Sequence, residues 1–131
     1  MKTIFVAARL LLGLIFLVIG LNGFHPFIPA PPPPDIALQW LTPMITSHYI
    51  WFTSGVQVIT GIMLLTNRFV PLAIVTLAAV LANILAYHLT MQIATIPLAL
   101  FTVLLWFVAA WPLRAYFAPL FVSKVSPAVR S

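Results

Sequence analysis

The chain has 131 residues, of which 63% are hydrophobic and 5% charged, with a mean hydropathy of +1.17 and a net charge of +5. This composition excludes a soluble globular domain, in which about a quarter of the residues are charged, and it predicts an integral membrane protein. The absence of cysteine excludes disulfides, thiolate ligation of iron–sulfur clusters and thioether-bound haem.

Four stretches are apolar over the length of about 20 residues that a helix needs to cross a bilayer. In chain order they cover residues 4–24, 44–66, 69–89 and 93–112. The sequence therefore predicts one all-α domain over residues 1–131, an integral membrane four-helix bundle. The first stretch resembles a signal peptide in its basic start, but its length, Arg9 inside it and the lack of a clear cleavage site favour a retained span.

A proline-rich connection, residues 25–43, joins the first two predicted spans. It contains HPFIPAPPPPD, which includes the only acidic residue, Asp35. Consecutive prolines fix φ and remove hydrogen-bond donors, so Pro31 to Pro34 are predicted to form a rigid polyproline II segment. This outer loop is either a spacer between the spans or a lid and docking surface. Residues 113–131 are predicted to form a tail that lies on the membrane or docks a cytoplasmic subunit.

The basic side chains predict the orientation of the bundle. They are Lys2, Arg9, Arg68, Arg114, Lys124 and Arg130, and all fall on one predicted side. By the positive-inside rule, both termini and the turn at Arg68 are predicted to face the cytoplasm. Because these cations are dispersed rather than clustered, the net charge does not predict nucleic-acid binding.

Arg9 shares one stripe of the first predicted helix with Gly13, Gly20 and Gly23. Small residues along one stripe predict close contact with another helix, so Arg9 is predicted to point into the bundle. We expect a buried polar pair between Arg9 and Gln57 of the second span, at a similar depth. The alternative is that Arg9 extends its long side chain to the cytoplasmic headgroups.

Polar residues gather near the predicted outer surface, among them all three histidines, His25, His48 and His88. They lack metal-ligand spacing and have no paired carboxylate, so haem and metal binding are disfavoured, and no catalytic residue is predicted. Ordinary interfacial side chains explain the group, and a quinone headgroup site is the alternative. A quinone carbonyl needs one or two hydrogen-bond donors. The candidate donors are Asn22, His25, Asn83, Tyr87 and His88.

The segments LNGFHPFIPAPPPPD, GVQVITGIMLLTNRFVPLA and LAAVLANILAYH, with a last helix ending near WPLRAYFAPLF, together resemble the DoxX-like family of small four-helix bacterial membrane proteins. The resemblance covers most of the chain. It implies a multi-pass protein of the bacterial inner (cytoplasmic) membrane that serves as an oxidoreductase component. Family members are associated with quinol oxidase or thiosulfate:quinone oxidoreductase subunits and with oxidative-stress complexes.

The resemblance also implies which positions matter. These are Asn22, Gly23, Gly55, Gly61, Arg68, Pro71, Asn83 and His88. The chain departs from the family at Gln57, where members often carry Glu. An amide forms hydrogen bonds but cannot relay a proton as a carboxylate can, so Gln57 weakens a proton-relay mechanism.

Three functions follow from these expectations. The first is a non-catalytic membrane subunit or scaffold that docks a membrane or peripheral redox protein through the proline-rich loop or the basic tail. The second is a quinone-binding redox protein with its site near the outer leaflet and electrons supplied by a partner. The third is a small permease, which would require a homo-oligomer because four helices leave little room for a pathway.

Overall fold

The computed structural model describes residues 2–127, and these are mostly helical. The helices are α1 (Lys2–Phe24), α2 (Asp35–Thr46), α3 (Ile50–Leu65), α4 (Val70–Thr90), α5 (Ile96–Ala110) and the short α6 (Arg114–Phe117). Short 3₁₀ turns precede α5 and flank α6. Arg130, one of the predicted cytoplasmic cations, lies outside the described residues.

Four of the helices form a closed bundle. α1 packs against α3 and α5, and α4 packs against the same two helices from the other side. The largest fully buried side chains fill the centre: Leu12, Phe16, Leu64, Ile74 and Leu77. The all-helical bundle predicted from the four apolar stretches is thus confirmed at the level of helix packing.

Three helical segments are long and apolar enough to cross a membrane: Lys2–Phe24, Val70–Thr90 and Ile93–Phe121. α3 has 16 residues and does not qualify alone. Its length is about 24 Å, shorter than a hydrocarbon core of about 30 Å. Together with α2, which is bent by 84° relative to it, α3 supplies a fourth crossing if the pair is one broken span.

Glycines bring α1 and α3 into backbone contact. A Cβ added to Gly61 would lie 2.8 Å from the carbonyl oxygen of Gly13 and 2.8 Å from the amide nitrogen of Leu17. Towards the other end, a Cβ on Gly20 would lie 2.9 Å from the carbonyl oxygen of Ser54. Residues later in α1 therefore contact residues earlier in α3, so the two helices are antiparallel. The glycine stripe of α1 marks a close helix contact, as predicted.

The predicted outer loop over residues 25–43 is wrong in its second half. Only residues 25–34 are non-helical, because the run of prolines ends at Pro34, which adopts extended geometry with φ −76° and ψ 150° and immediately precedes α2. Asp35 then places a negative charge in the first turn, where the helix dipole favours it. Pro43 lies inside α2 and removes one internal hydrogen bond without ending the helix.

The second span was predicted over residues 44–66, and this boundary is also wrong. Residues 44–46 belong to α2, and a turn separates them from α3, which begins at Ile50. His48 in this turn has a φ of 63°, in the left-handed region, and the chain bends by 84° between the two helices. The predicted span over residues 44–66 thus contains a bend between two helices.

Candidate functional site

A cavity of about 660 Å³ lies between the four long helices and beneath α2, at the end of the bundle that is predicted to be the outer one. The cavity arises because only the first part of α4 is tightly packed. The buried residues of α4 all lie between Val70 and Leu81, in the part of the helix nearer the α3–α4 turn. Beyond Leu81 the helix therefore has no fully buried side chain up to its end at Thr90. The volume falls within the range of small-molecule sites, roughly 300–1,000 Å³.

Helix α2 covers the outer end of this cavity. Trp40, Leu41 and Met44 line it, and Ala37 on the same side is fully buried. The opposite side of α2 is polar and exposed, with Asp35, Gln39, Thr42 and Thr46. α2 is thus an amphipathic helix whose apolar face roofs the cavity at nearly a right angle to α3.

An aromatic cluster lines the cavity next to α2. The Trp40 and Tyr87 rings have their centroids 5.3 Å apart, and the His88 ring meets Tyr87 edge-on at 5.1 Å. The Tyr87 hydroxyl donates a 2.6 Å hydrogen bond to Oε1 of Gln92, in the turn that follows α4. This bond fixes the Tyr87 ring against the roof.

The orientation of His88 is set by the same turn. Its Nδ1 lies 3.2 Å from the carbonyl oxygen of Gln92 and 2.9 Å from the hydroxyl oxygen of Thr95. Nδ1 is thus occupied by these two groups, and Nε2 is the ring nitrogen left for another partner. His88 is half-buried and lines the cavity.

Two amide side chains, Gln57 on α3 and Asn83 on α4, line the deeper part of the cavity. Each lies two turns, about 10 Å, from the outer end of its helix, so they are at similar depths. Within residues 2–127, neither amide hydrogen-bonds to another protein group, and no side-chain nitrogen or oxygen is both fully buried and unpaired. Both amides are therefore open to a ligand in the cavity.

Four of the five residues predicted for a quinone site line this one cavity. They are Asn22, Asn83, Tyr87 and His88. His25 is exposed just beyond α1 and does not line it. Oδ1 of Asn22 accepts hydrogen bonds of 2.8 Å from the backbone amides of both Phe27 and Ile28, so this oxygen holds the start of the proline-rich loop.

The predicted pair of Arg9 and Gln57 is not formed. Arg9 instead donates a hydrogen bond to the carbonyl oxygen of Leu64, in the last turn of α3, where carbonyls lack a partner within the helix. Gln57 lies two turns, about 10 Å, from Leu64 along α3. The antiparallel register places Gln57 nearer the level of Gly20 than of Arg9.

The remaining histidines do not join His88. His48 is exposed in the turn before α3, where its ring meets Trp51 edge-on at 4.5 Å. Among residues 2–127, no group of three or more His, Cys, Asp or Glu side chains is placed to hold a metal ion.

Trp40 was not predicted as a site residue, and Gln57 was predicted as the partner of Arg9 and not as part of the quinone site. The spacing of polar residues along 35–46, at every third or fourth position, is the signal that would have identified α2 and its apolar face. Gln57 could not be placed level with Asn83 from the sequence, because the predicted second span began at residue 44 and α3 begins at Ile50.

Comparisons of the chain with protein-family models, with curated proteins and with solved structures each find no match. The DoxX-like resemblance therefore stays a hypothesis, and the function is argued from the cavity itself.

Proposed function

We propose that this protein is a quinone-binding membrane component of a redox system, with its site in the cavity beneath α2. The observation that carries the proposal is that Asn22, Asn83, Tyr87 and His88 line one cavity together. A quinone is an apolar, planar ring with two carbonyl acceptors, and most of the residues around it here are apolar or aromatic.

The hydrogen-bonding groups suit both redox forms of such a ligand. The Asn83 amide both donates and accepts, so it can bind a quinone carbonyl or a quinol hydroxyl. Nε2 of His88 has no partner within the described residues and would hydrogen-bond the same head group. The chain would bind and orient the quinone, and a membrane or peripheral redox partner would supply the electrons, as the DoxX-like resemblance implies.

We further propose four crossings of a bacterial inner membrane, with both termini in the cytoplasm. The antiparallel helices α1 and α3, followed by two short turns, support this by bringing Lys2, Arg68 and Arg114 to one end of the bundle. The polar face of α2 and the proline-rich loop would then lie at the outer surface, with the cavity opening in the outer leaflet.

A scaffold function is the second candidate, and the loop over residues 25–34 supports it. Phe27 and Ile28 are 56% and 43% exposed, and the bonds from their amides to Asn22 hold them in place. A fixed, exposed apolar loop is a suitable contact for a partner protein.

A permease is not proposed, because Leu12, Leu64, Ile74 and Leu77 fill the inner half of the bundle.

The proposal is tested by purifying the protein in mild detergent from its native membrane and measuring extracted quinone per chain. We expect near-stoichiometric quinone in the wild type and a large loss in Asn83→Leu. The matched control is His25→Leu, which changes a polar residue outside the cavity and should retain the wild-type content.

Circular dichroism and gel filtration would establish that both variants fold. A folded wild-type protein that carries no quinone and takes up none when decylubiquinone is added would overturn the proposal. Co-purification of a redox enzyme with such a quinone-free protein would favour the scaffold function instead.

A further inference from the structure

The cavity contains no fixed charge. None of its lining residues is Asp, Glu, Lys or Arg within the described part of the chain. Asp35 lies on the exposed side of α2, and Arg9 is held by the carbonyl of Leu64. A charged group entering the cavity would lose its water and find no counter-ion.

Most of the polar groups in the cavity already have partners. The hydroxyls of Thr53, Thr76 and Thr102 donate to backbone carbonyls of their own helices, at 2.7 to 3.0 Å. The Tyr87 hydroxyl donates to Gln92. The side chains of Gln57 and Asn83 make no hydrogen bond to another protein group within residues 2–127, and neither does the hydroxyl of Ser54, which lies closer to the start of α3.

We propose that the cavity selects ligands with an uncharged head group, and that the amides of Gln57 and Asn83 bind this head from two helices. This inference rests on the proposed function, namely that the cavity binds a lipid-soluble ligand. It adds that the polar head reaches about 10 Å below the outer helix ends, where the two amides lie. Amphiphiles with an anionic or cationic head are excluded by the lack of a counter-ion.

The same placement assigns a specificity function to Gln57. An amide donates and accepts without carrying charge, so it accommodates a carbonyl or a hydroxyl and adds no electrostatic preference. At this depth Asn83 is exposed, whereas Gln57 is half-buried on the facing helix. The head group would therefore pass Asn83 on entry and be held between the two.

The test is calorimetric titration of the purified protein, at one detergent concentration, with decylubiquinone and with three competitors that share a dodecyl tail. The competitors are N-methyldodecanamide, dodecanoate and dodecyltrimethylammonium, with neutral, anionic and cationic heads. We expect the neutral amide to displace decylubiquinone and both charged amphiphiles to compete at least about tenfold more weakly, because of the cost of desolvating an unpaired charge.

The variants Gln57→Leu and Asn83→Leu should each raise the Kd for decylubiquinone roughly five- to tenfold, which corresponds to the loss of one hydrogen bond. The control is Gln39→Leu, which removes an exposed amide on the polar side of α2 and should leave the Kd unchanged. Melting temperatures of all three variants would verify that the fold is intact.

The outcomes separate the two proposals. If decylubiquinone does not bind the wild type, the proposed function itself fails. If decylubiquinone binds but a charged amphiphile competes as well as the neutral amide, selection of an uncharged head is wrong. Unchanged affinity in both Gln57→Leu and Asn83→Leu would likewise overturn the assignment of the two amides, while binding of decylubiquinone by the wild type would still support a quinone site in the cavity.

Discussion

Trp40 on α2 stacks against Tyr87 on α4, with ring centroids 5.3 Å apart and ring planes inclined at 42°. This contact joins the helix that crosses the outer end of the bundle to one of the long helices. Ala37 is the only fully buried residue of α2, so few other contacts of α2 reach the protein interior. The position of the roof over the cavity therefore depends strongly on one aromatic pair.

Replacing Trp40 by Ala should weaken binding of a quinone analogue about tenfold. The change removes an aromatic contact of roughly 0.5–1.5 kcal/mol as well as apolar surface over the ligand. The melting temperature should change little, because α2 lies outside the buried core. Trp51→Ala is the matched control, since Trp51 contacts Phe24 and His48 and does not line the cavity. Equal Kd values for the two variants would argue against a roof function for α2.

Gly61→Ala should destabilise the bundle, whereas Gly55→Ala on the same helix should not. The new methyl group of Gly61→Ala would lie 2.8 Å from backbone atoms of α1, which cannot move without separating the helices. We expect a loss of about 1–3 kcal/mol, as for other overpacked sites. At Gly55 the nearest atom is Cζ of Phe24 at 3.8 Å, an ordinary contact. Thermal unfolding in detergent would compare the two, and equal melting temperatures would contradict the close α1–α3 contact.

Arg9→Met should destabilise the protein by about 1–3 kcal/mol, because the carbonyl of Leu64 loses its donor in an apolar setting. Lys2→Met, at the exposed start of α1, is the control for removing a positive charge. A double-mutant cycle with Gln57→Leu distinguishes the observed contact from the pair predicted by sequence. The two changes should be additive, and a coupling energy above about 0.5 kcal/mol would show that Arg9 and Gln57 interact.

The orientation of the chain can be tested directly because the sequence lacks cysteine. Single cysteines at Ala30, in the proline-rich loop, and at Ser123, near the C-terminal end, both replace exposed residues. A membrane-impermeant maleimide added to spheroplasts should label Ala30→Cys and not Ser123→Cys until the membrane is broken. The reverse pattern would place the cavity on the cytoplasmic side.

The sequence predicts the bundle well because hydrophobic length and glycine spacing are local properties of each helix. The stripe of Gly13 and Gly20 identifies the face of α1 that meets α3 without any knowledge of the partner. The partner of Arg9 could not be predicted in this way. It is a backbone carbonyl, and every residue carries one, so no side-chain pattern points to Leu64.

The site is only partly predictable for a different reason. Polar residues such as Asn83 and Tyr87 stand out in an apolar span, and the cost of exposing them to lipid makes them candidates from sequence alone. The cavity they line depends on how far the outer part of α4 stands from α3, which is a property of the whole bundle. The sequence did not predict helix α2, because the four consecutive prolines before it and Pro43 within it indicate a loop.

Photolabelling with an azidoquinone, followed by mass spectrometric mapping of the modified residues, tests the central claim most directly. The account predicts labels on Trp40, Met44 and the stretch from Asn83 to His88, all of which excess decylubiquinone should prevent. Labels spread over exposed apolar residues of α5 such as Leu104 and Phe107, unaffected by excess quinone, would show that the cavity does not bind quinone.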